Sequence, residues 1–325
     1  MRIGGGRWPL GRRFPPGLGK RDGSLTRILV TGSSGLLGNK IVEHAIAKGH
    51  EVYSTYQHNP PRLGVPLVLD QTIQAEVEKV VSLASPDAIV NSAALTDVDV
   101  CEELPEMARF VNSISVSHLA SSASAHKAFL VQVSTDYVFS GEKGMYSETD
   151  PPSPVNEYGR SKLEGEEMAR LAGEGNWCVA RASVVYGWGR PQRGNAATYV
   201  YDKLSKGEQI RMVQDQYCSP TYNDNLARMI LEIVEKRVLG VMHTSGATRI
   251  NRYDFAVLLA KALGLDTNLI LPVDSANLQW KAKRPRDSSL DVKKSSDILG
   301  EKPVSAPEGV KSFSEEAKAR PNKTP

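Results

Sequence analysis

The chain has 325 residues, of which 40% are hydrophobic and 24% are charged, a composition typical of a globular protein with one large domain or two modest ones. The formal net charge is +3, but the first 27 residues carry seven arginines and lysines against one acid, and the remainder is slightly acidic. These values argue against nucleic-acid binding by the folded part, and no apolar run reaches the roughly 18 residues that span a bilayer.

The N-terminal segment and the cysteines predict a cytoplasmic location. Residues 1–25 are basic and rich in Gly and Pro, with no apolar segment of a secretory signal. They predict a flexible tail, or a start codon assigned too early, rather than a phosphate-binding arm. The three distant cysteines (Cys101, Cys178 and Cys218) show no metal-ligand spacing, so we expect reduced thiols.

Short β-rich runs alternate with amphipathic segments along the first half of the chain. Strands are predicted at 27–32, 50–56, 65–70, 86–94, 128–135 and 177–187, and helices at 35–49, 73–85, 105–126 and 157–171. This alternation predicts an α/β fold, a Rossmann-type doubly wound parallel sheet.

After Gly187 the rhythm breaks, which indicates a smaller C-terminal region. Helices are predicted at 196–206, 225–236 and 252–263, strands at 210–214 and 240–246, and a last helix near the C-terminus. We therefore expect a dinucleotide-binding domain at 26–187, a substrate-binding region at 188–315 with segments that return to the sheet, and a polar tail at 316–325.

The motif "VTGSSGLLG" places three glycines in the spacing GxxGxxG between a predicted strand and helix. In this context the glycines let the backbone approach a pyrophosphate, and the helix N-terminus offers free N–H donors. The predicted cofactor-binding residues of this loop are Gly32, Gly35, Leu36, Leu37 and Gly38.

The end of the second strand favours NADPH over NADH, although NADH stays possible. The segment "STYQHNPPR" lacks the acid that holds the adenosine ribose of NAD, whereas His58 and Arg62 could meet a 2′-phosphate. Asp70, after the third strand, is predicted either to bind the adenine amino group or to cap the helix that starts near Thr72.

Three residues suit the reduction of a ketone. Thr135 ends a strand, and Tyr158 and Lys162 lie one turn apart on the next helix. A free phenol has a pKa near 10, and a neighbouring ammonium would lower it, so Tyr158 could donate a proton while Thr135 polarises the carbonyl. The second YxxxK pattern, Tyr199 to Lys203, has no upstream partner and predicts an ordinary structural helix.

The runs "VSTDYVFSG", "YSETDPPSPVNEYGRSKLEGE", "PDAIVNSAALTDVDVCE", "DQYCSPTY" and "RPRDSSLD" resemble the dTDP-4-dehydrorhamnose reductases, a family of extended short-chain dehydrogenases/reductases. The resemblance covers most of the chain from Arg27. It implies reduction by NADPH of dTDP-4-dehydro-L-rhamnose to dTDP-L-rhamnose, with Thr135, Tyr158 and Lys162 as the active site. The expected partner is a dTDP-linked deoxysugar, with no nucleic acid or membrane, and a homodimer is one expected assembly.

The same resemblance implies further site residues. Ala93, Ala94 and Thr96 would line the nicotinamide, Val98 and Tyr137 would face the sugar, Asn112 would be structural, and Arg284 and Asp287 would lie near the nucleotide-sugar pocket. Many relatives carry a tryptophan where this chain has Val184, so the sugar wall differs here. We find no acids for the interface magnesium of some members and expect no metal.

Two other functions share these motifs. The regulatory β subunit of methionine adenosyltransferase has a similar sequence and binds a partner enzyme without catalysis. Epimerases and dehydratases use the same scaffold, but a dehydratase needs acids beside the threonine, and "TDY" offers only Asp136. The "NSAALTDVD" and "DQYCSPTY" segments favour the sugar reductases.

Overall fold

The computed structural model describes residues 26–173, 175–189 and 194–320. The predicted flexible tail at 1–25 and the last five residues of the predicted polar tail lie outside the described residues. None of the helices within these three ranges combines the length and the apolar character needed to cross a membrane.

The elements alternate along the chain much as the sequence predicts. The strands are β1 (Arg27–Thr31), β2 (Glu51–Tyr56), β3 (Val65–Val68), β4 (Ala88–Asn91), β5 (Phe129–Thr135), β6 (Trp177–Ala182), β7 (Val185–Tyr186), β8 (Ile210–Val213), β9 (Tyr217–Cys218), β10 (Thr221–Tyr222), β11 (Gly240–His243), β12 (Ile250–Asn251) and β13 (Ile270–Val273). The helices are α1 (Gly38–Ala47), α2 (Gln74–Ala84), α3 (Val98–Glu103), α4 (Pro105–Arg109), α5 (Ser115–His126), α6 (Glu157–Ala169), α7 (Ala196–Leu204), α8 (Asn223–Lys236), α9 (Arg252–Leu263), α10 (Lys293–Ile298) and α11 (Ala306–Ala319).

Seven of the strands form one parallel sheet in the order β11-β6-β5-β4-β1-β2-β3. Helices α1 and α8 cover one face with residues such as Ile41 and Leu226, and α2, α5 and α6 cover the other with residues such as Val77 and Leu119. The predicted doubly wound Rossmann-type fold is confirmed. Strand order reverses between β1 and β4, where such sheets bind ligands at the carboxyl ends of their strands.

The C-terminal region builds a second, smaller core beside the sheet. Helices α7, α9 and α11 pack together around Phe255, Leu259 and Phe313, and the short strands β8 and β13 pair in parallel. Strand β11 leaves this region and pairs with β6. The boundary between two domains stays a prediction, and α11 runs through residues 316–319, where a polar tail was expected.

Two predicted elements differ from those observed, and two observed helices were not predicted. The long helix predicted at 105–126 contains a π-helical turn at Phe110–Ile114 between α4 and α5. The strand predicted at 177–187 breaks at Val184, whose φ of 39° lies in the left-handed region, so that Val185 and Tyr186 pair with β10 instead. Helices α3 and α10 are too short and too polar for periodicity to predict them.

The loop after β1 has no room for side chains at two of its glycines. A Cβ on Gly38 would lie 2.3 Å from the backbone oxygen of Gly32, and Gly32 itself has a φ of 63°. A Cβ on Gly32 would lie 2.9 Å from the Ala93 backbone. The glycines therefore allow β1, α1 and the segment after β4 to meet at one point.

We expect Gly38→Ala to lower the free energy of unfolding by about 1–3 kcal/mol, because the methyl group would push against rigid backbone. Gly194→Ala is the control, since its Cβ would meet only Thr198 Oγ1, at an ordinary 3.6 Å. Urea unfolding of both variants gives the comparison. Equal stability of Gly38→Ala and wild type would show that the loop can relax.

Candidate active site

The candidate site lies at the carboxyl end of the sheet, where β5 ends at Thr135 and α6 begins. Asn156 caps α6: its Oδ1 accepts a hydrogen bond from Gly159 N at 2.8 Å, and its Nδ2 donates to Lys283 O at 2.8 Å. A Cβ on Gly159 would lie 2.2 Å from Tyr137 O, so the helix lies directly on the segment after Thr135. This contact sets Tyr158 beside Thr135.

Tyr158 lies against two residues of the "STDY" segment. Its phenol lies beside Thr135, close enough for Thr135 to lower the pKa of the phenol, and its ring meets that of Tyr137 edge to face, with centroids 5.8 Å apart. Burial raises the pKa of Tyr158, Thr135 opposes that rise, and Asp136 and Cys101 add to it. The phenol is therefore protonated at neutral pH, the form that donates a proton.

Lys162 is buried one turn after Tyr158, with 4% of its surface exposed. Its Nζ donates a hydrogen bond to Val133 O at 2.7 Å. Burial lowers the pKa of Lys162 to about 8, and Glu166 acts against that decrease. Burial, Thr135 and Asp136, rather than the Lys162 ammonium, have the largest influence on the pKa of Tyr158 in this structure.

A buried ion pair lies beneath Lys162. Glu166 Oε2 accepts a hydrogen bond from Arg181 Nη2 at 2.6 Å, and Glu166 Oε1 accepts bonds from Arg181 Nε at 2.9 Å and from Ser134 Oγ at 2.6 Å. Both side chains are 4% exposed. Sequence reasoning missed this pair, although an arginine inside the apolar strand "WCVARA" was a signal that a buried acid must face it.

The glycine loop and the segment after β4 form the expected cofactor side. Helix α1 begins after Leu37, whose side chain makes no cap; Asn39 N in the first turn donates to Gly35 O, and the partial positive charge of the helix N-terminus favours an anion beside the loop. Asn112, in the π-helical turn, holds the neighbouring segment: it accepts from Leu95 N at 2.8 Å and donates to Leu95 O at 3.0 Å. Ala93 and Ala94 precede that anchor, and Thr96 follows it with its side chain exposed.

Asp70 does not cap a helix in this structure, because α2 begins at Gln74 without a side-chain cap, and Asp70 instead bonds to Thr72 in the turn before it. Its Oδ1 accepts hydrogen bonds from Thr72 N at 3.0 Å and Thr72 Oγ1 at 2.6 Å, and its Oδ2 accepts one from Gln57 at 2.8 Å. These bonds lower the pKa of Asp70, with Thr72 as the largest cause. Contact with an adenine stays a prediction. His58 and Arg62, the candidates for a 2′-phosphate, are exposed.

Arginines line the expected substrate side. Arg252 Nη2 donates to the Tyr137 hydroxyl at 3.3 Å. Arg284 Nη1 donates to Asp99 Oδ1 at 2.8 Å, which is the main cause of the lowered pKa of Asp99. Val98 begins the same short helix as Asp99 and is half-buried. Sequence reasoning missed Arg252, because one arginine at a helix start has no distinctive pattern.

Two other predicted residues have clear structural partners. Asp287 accepts a hydrogen bond from Arg249 Nε at 2.7 Å and one from Ser289 Oγ at 2.6 Å. Val184 lies in the left-handed backbone region, unusual for a β-branched residue, and its carbonyl accepts from Thr221 N at 3.2 Å. Strain of this kind persists only where neighbouring contacts impose it.

The chain matches the RmlD substrate binding domain over residues 26–319. It belongs to this family. The predicted resemblance to the dTDP-4-dehydrorhamnose reductases is confirmed by this match and by the relatives of that name.

Named relatives fall into two groups. The chain is 35% identical to a probable low-salt glycan biosynthesis reductase of Haloferax volcanii, over 86% of this chain and 93% of the relative. It is 34% identical to a dTDP-4-dehydrorhamnose reductase of Mycolicibacterium smegmatis, over 83% and 79%. It is also 32% identical to methionine adenosyltransferase 2 subunit beta of Rattus norvegicus, over 82% and 81%.

Solved structures of dTDP-4-dehydrorhamnose reductases are similar to this chain in sequence and in fold. A hypothetical dTDP-4-dehydrorhamnose reductase from Sulfolobus tokodaii is 35% identical with a TM-score of 0.78, covering 86% of this chain and 97% of that one. The dTDP-4-dehydrorhamnose reductase of Bacillus anthracis in complex with NADP is 28% identical with a TM-score of 0.81, covering 90% and 100%.

The buried charge of Lys162 should make stability depend on pH. The pKa is about 8 in the folded state against the usual 10.5, so the unfolded chain binds more protons between these values. The stability of the wild type relative to Lys162→Met should therefore rise by about 3 kcal/mol from pH 8 to pH 10.5, with the largest disadvantage of the lysine below pH 8.

Urea unfolding at several pH values measures this difference. Lys203→Met is the matched control, because Lys203 belongs to the second YxxxK pattern but is exposed and paired with Glu208. It should show no such rise across this window. A flat difference for Lys162→Met would mean that the buried ammonium is not disfavoured by its surroundings.

Proposed function

We propose that the protein reduces the 4-keto group of dTDP-4-dehydro-L-rhamnose to give dTDP-L-rhamnose, with NADPH as reductant and Tyr158 as proton donor. The observation that carries this proposal is that Tyr158 lies beside Thr135 and one helical turn from the buried Lys162, at the strand ends. The predicted class, an NAD(P)H-dependent oxidoreductase, is confirmed by the family and its named reductases.

The glycine loop fits a dinucleotide. A side chain at Gly32 would collide with the Ala93 backbone and one at Gly38 with the Gly32 backbone, so the tight loop needs glycine at both positions. The α1 N-terminus beside this loop attracts a phosphate. NADPH would supply the hydride when bound. NADP in the Bacillus anthracis relative supports this cofactor, as does the absence of an acid in the "YQHNPPR" segment that follows β2.

Residues of the chain would supply the proton, orient the carbonyl and hold the cofactor. Tyr158 holds a proton at neutral pH and can release it to a developing alkoxide, since the pKa of an alkoxide's conjugate acid exceeds that of a phenol. Thr135, which lies beside the phenol, would turn its hydroxyl hydrogen from Asp136 to the carbonyl oxygen when the sugar binds and so orient that oxygen towards Tyr158. Lys162, still largely protonated at pH 7 with a pKa of about 8, would hold the nicotinamide ribose.

The substrate side suits an anionic ligand. Arg252 and Arg284 lie behind Tyr137 and α3, and both would attract the diphosphate of a nucleotide sugar. Val184 stands where many relatives carry a tryptophan, so the proposed sugar site has a smaller apolar wall. A homodimer stays a prediction.

We expect Tyr158→Phe to lower kcat by about 10²- to 10⁴-fold with little effect on NADPH affinity, because the variant loses only the proton donor. The assay is NADPH oxidation on mixing the purified protein with dTDP-4-dehydro-L-rhamnose. Tyr199→Phe, in the second YxxxK pattern, is the control and should keep the wild-type rate. An unchanged rate in Tyr158→Phe would rule out this tyrosine as the donor.

The relatives named methionine adenosyltransferase 2 subunit beta support a second candidate function. In that case the chain would bind a methionine adenosyltransferase and change its activity. Sedimentation of the chain mixed with such an enzyme, beside the NADPH assay, separates the two. A stable complex without NADPH oxidation would favour the regulatory function, and oxidation without a complex would favour the reductase.

A further inference from the structure

Asp136 follows Thr135 directly, yet the proposed chemistry gives it no role. Its carboxylate is buried, with 2% of the residue exposed. Oδ1 accepts a hydrogen bond from Thr135 Oγ1 at 3.0 Å, and Oδ2 accepts bonds from Ser183 Oγ at 2.7 Å and Ser288 Oγ at 2.5 Å. The Asp136 carboxylate thus accepts hydrogen bonds from three hydroxyl groups.

The three hydroxyls come from separate segments that surround the expected substrate. Thr135 ends β5, and Ser183 lies at the break between β6 and β7, directly before the strained Val184. Ser288 belongs to the C-terminal segment that also carries Arg284. Ser183 continues the connection, since its Oγ accepts from Ser219 N at 3.2 Å, and Ser219 Oγ in turn accepts from Leu290 N at 3.1 Å.

We propose that Asp136 is a positioning residue for the reduction, whose carboxylate holds the Thr135 side chain in place before the sugar binds and fixes the segments of Ser183 and Ser288 around the sugar. A dehydratase needs an acid beside the threonine that can reach its substrate. Here both oxygens of the Asp136 carboxylate accept hydrogen bonds from hydroxyls of the protein instead. This inference rests on the proposed function, because the sugar is its reference point.

The surroundings of the carboxylate favour this role. The pKa of Asp136 is raised, with burial as the largest cause, and the hydroxyls of Ser288, Ser183 and Thr135 and the nearby Arg252 act against that rise. The other titratable groups that face it are the phenols of Tyr137 and Tyr158 and the thiol of Cys218. An ionised carboxylate accepts from all three hydroxyls, whereas a protonated one would have to donate to one of them.

Asp136→Asn tests the proposal because it keeps the shape but offers only one acceptor oxygen. We expect kcat/KM for the dTDP-sugar to fall by up to about 100-fold, since small displacements of reacting groups have effects of this size, while the Kd for NADPH stays unchanged. Stopped-flow turnover and fluorescence titration with NADPH give the two values. A merely structural role would weaken both ligands together.

Hydrogen exchange of the free protein gives a readout that needs no substrate. In Asp136→Asn the backbone amides around Ser183 and from Asp287 to Leu290 should exchange faster, and those of the loop from Gly32 to Gly38 should not change. If the wild type does not reduce the sugar, the proposed function fails, and the exchange data then decide only whether Asp136 fixes the segments of Ser183 and Ser288. Unchanged exchange in these segments, or unchanged kcat/KM in an active enzyme, would overturn the inference.

Two further variants complete the experiment. Asp150→Asn is the matched control: Asp150 also binds three donors, from Lys143 and Ser147, but belongs to the loop before α6 and should leave turnover and exchange as in the wild type. Should Asp136→Asn not fold, the double variant Ser183→Ala/Ser288→Ala keeps the bond to Thr135 and removes the other two. It should raise KM for the sugar with little change in the NADPH Kd, and an unchanged KM would contradict the proposal.

Discussion

The geometry of the site depends on how closely α6 lies on the end of β5. Gly159 lets the helix backbone touch Tyr137 O, where a Cβ would stand 2.2 Å away, and Gly165 does the same against Asn112 O, also at 2.2 Å. These two contacts leave α6 one position, with Tyr158 turned towards Thr135 and Lys162 beneath the strand end. Since side chains four residues apart share a helix face, fixing the helix fixes both functional groups at once.

Buried charge is the second constraint, and it acts in a different way from the one the sequence suggests. The pattern YxxxK predicts a phenol made acidic by an ammonium. In this structure, burial instead raises the pKa of Tyr158 and lowers that of Lys162 to about 8, while Lys162 donates to the backbone of β5. At neutral pH the site therefore has a protonated phenol beside a mostly protonated amine, and this combination suits the proposed reduction, in which Tyr158 would give up a proton.

The sequence predicts the fold well because two strong local patterns agree. The buried runs "RILVTG" and "AFLVQVST" have the length and β-branched content of parallel strands, and the glycines after β1 and the caps of the helices mark the junctions. The resemblance of whole motifs adds the roles of Thr135, Tyr158 and Lys162. Periodicity could not predict the π-helical turn that carries Asn112, since π and α turns share their residue preferences.

The missed site residues have a common physical reason. Arg181 and Glu166 are far apart in sequence and meet only because β6 and α6 pack together, and the same holds for Asp136 and Ser288, which are 152 residues apart. Long-range polar pairs leave no local pattern, so a sequence shows at most that a buried charge needs a partner, without saying which one. The break at Val184 is similar, because its backbone conformation is imposed by partners and runs against its own β preference.

These buried groups also bear on the choice between an enzyme and a binding subunit. A buried Lys162 destabilises the folded chain at neutral pH, and a methionine there would remove that disadvantage, so its presence points to a function that uses the ammonium. A binding subunit that holds the cofactor would also use the Lys162 ammonium, so Lys162 does not distinguish an enzyme from a binding subunit. The network of Asp136 does bear on the choice, since it joins Thr135, the proposed catalytic threonine, to the segments of Val184 and Arg284, a connection that would serve a substrate and that cofactor binding does not require.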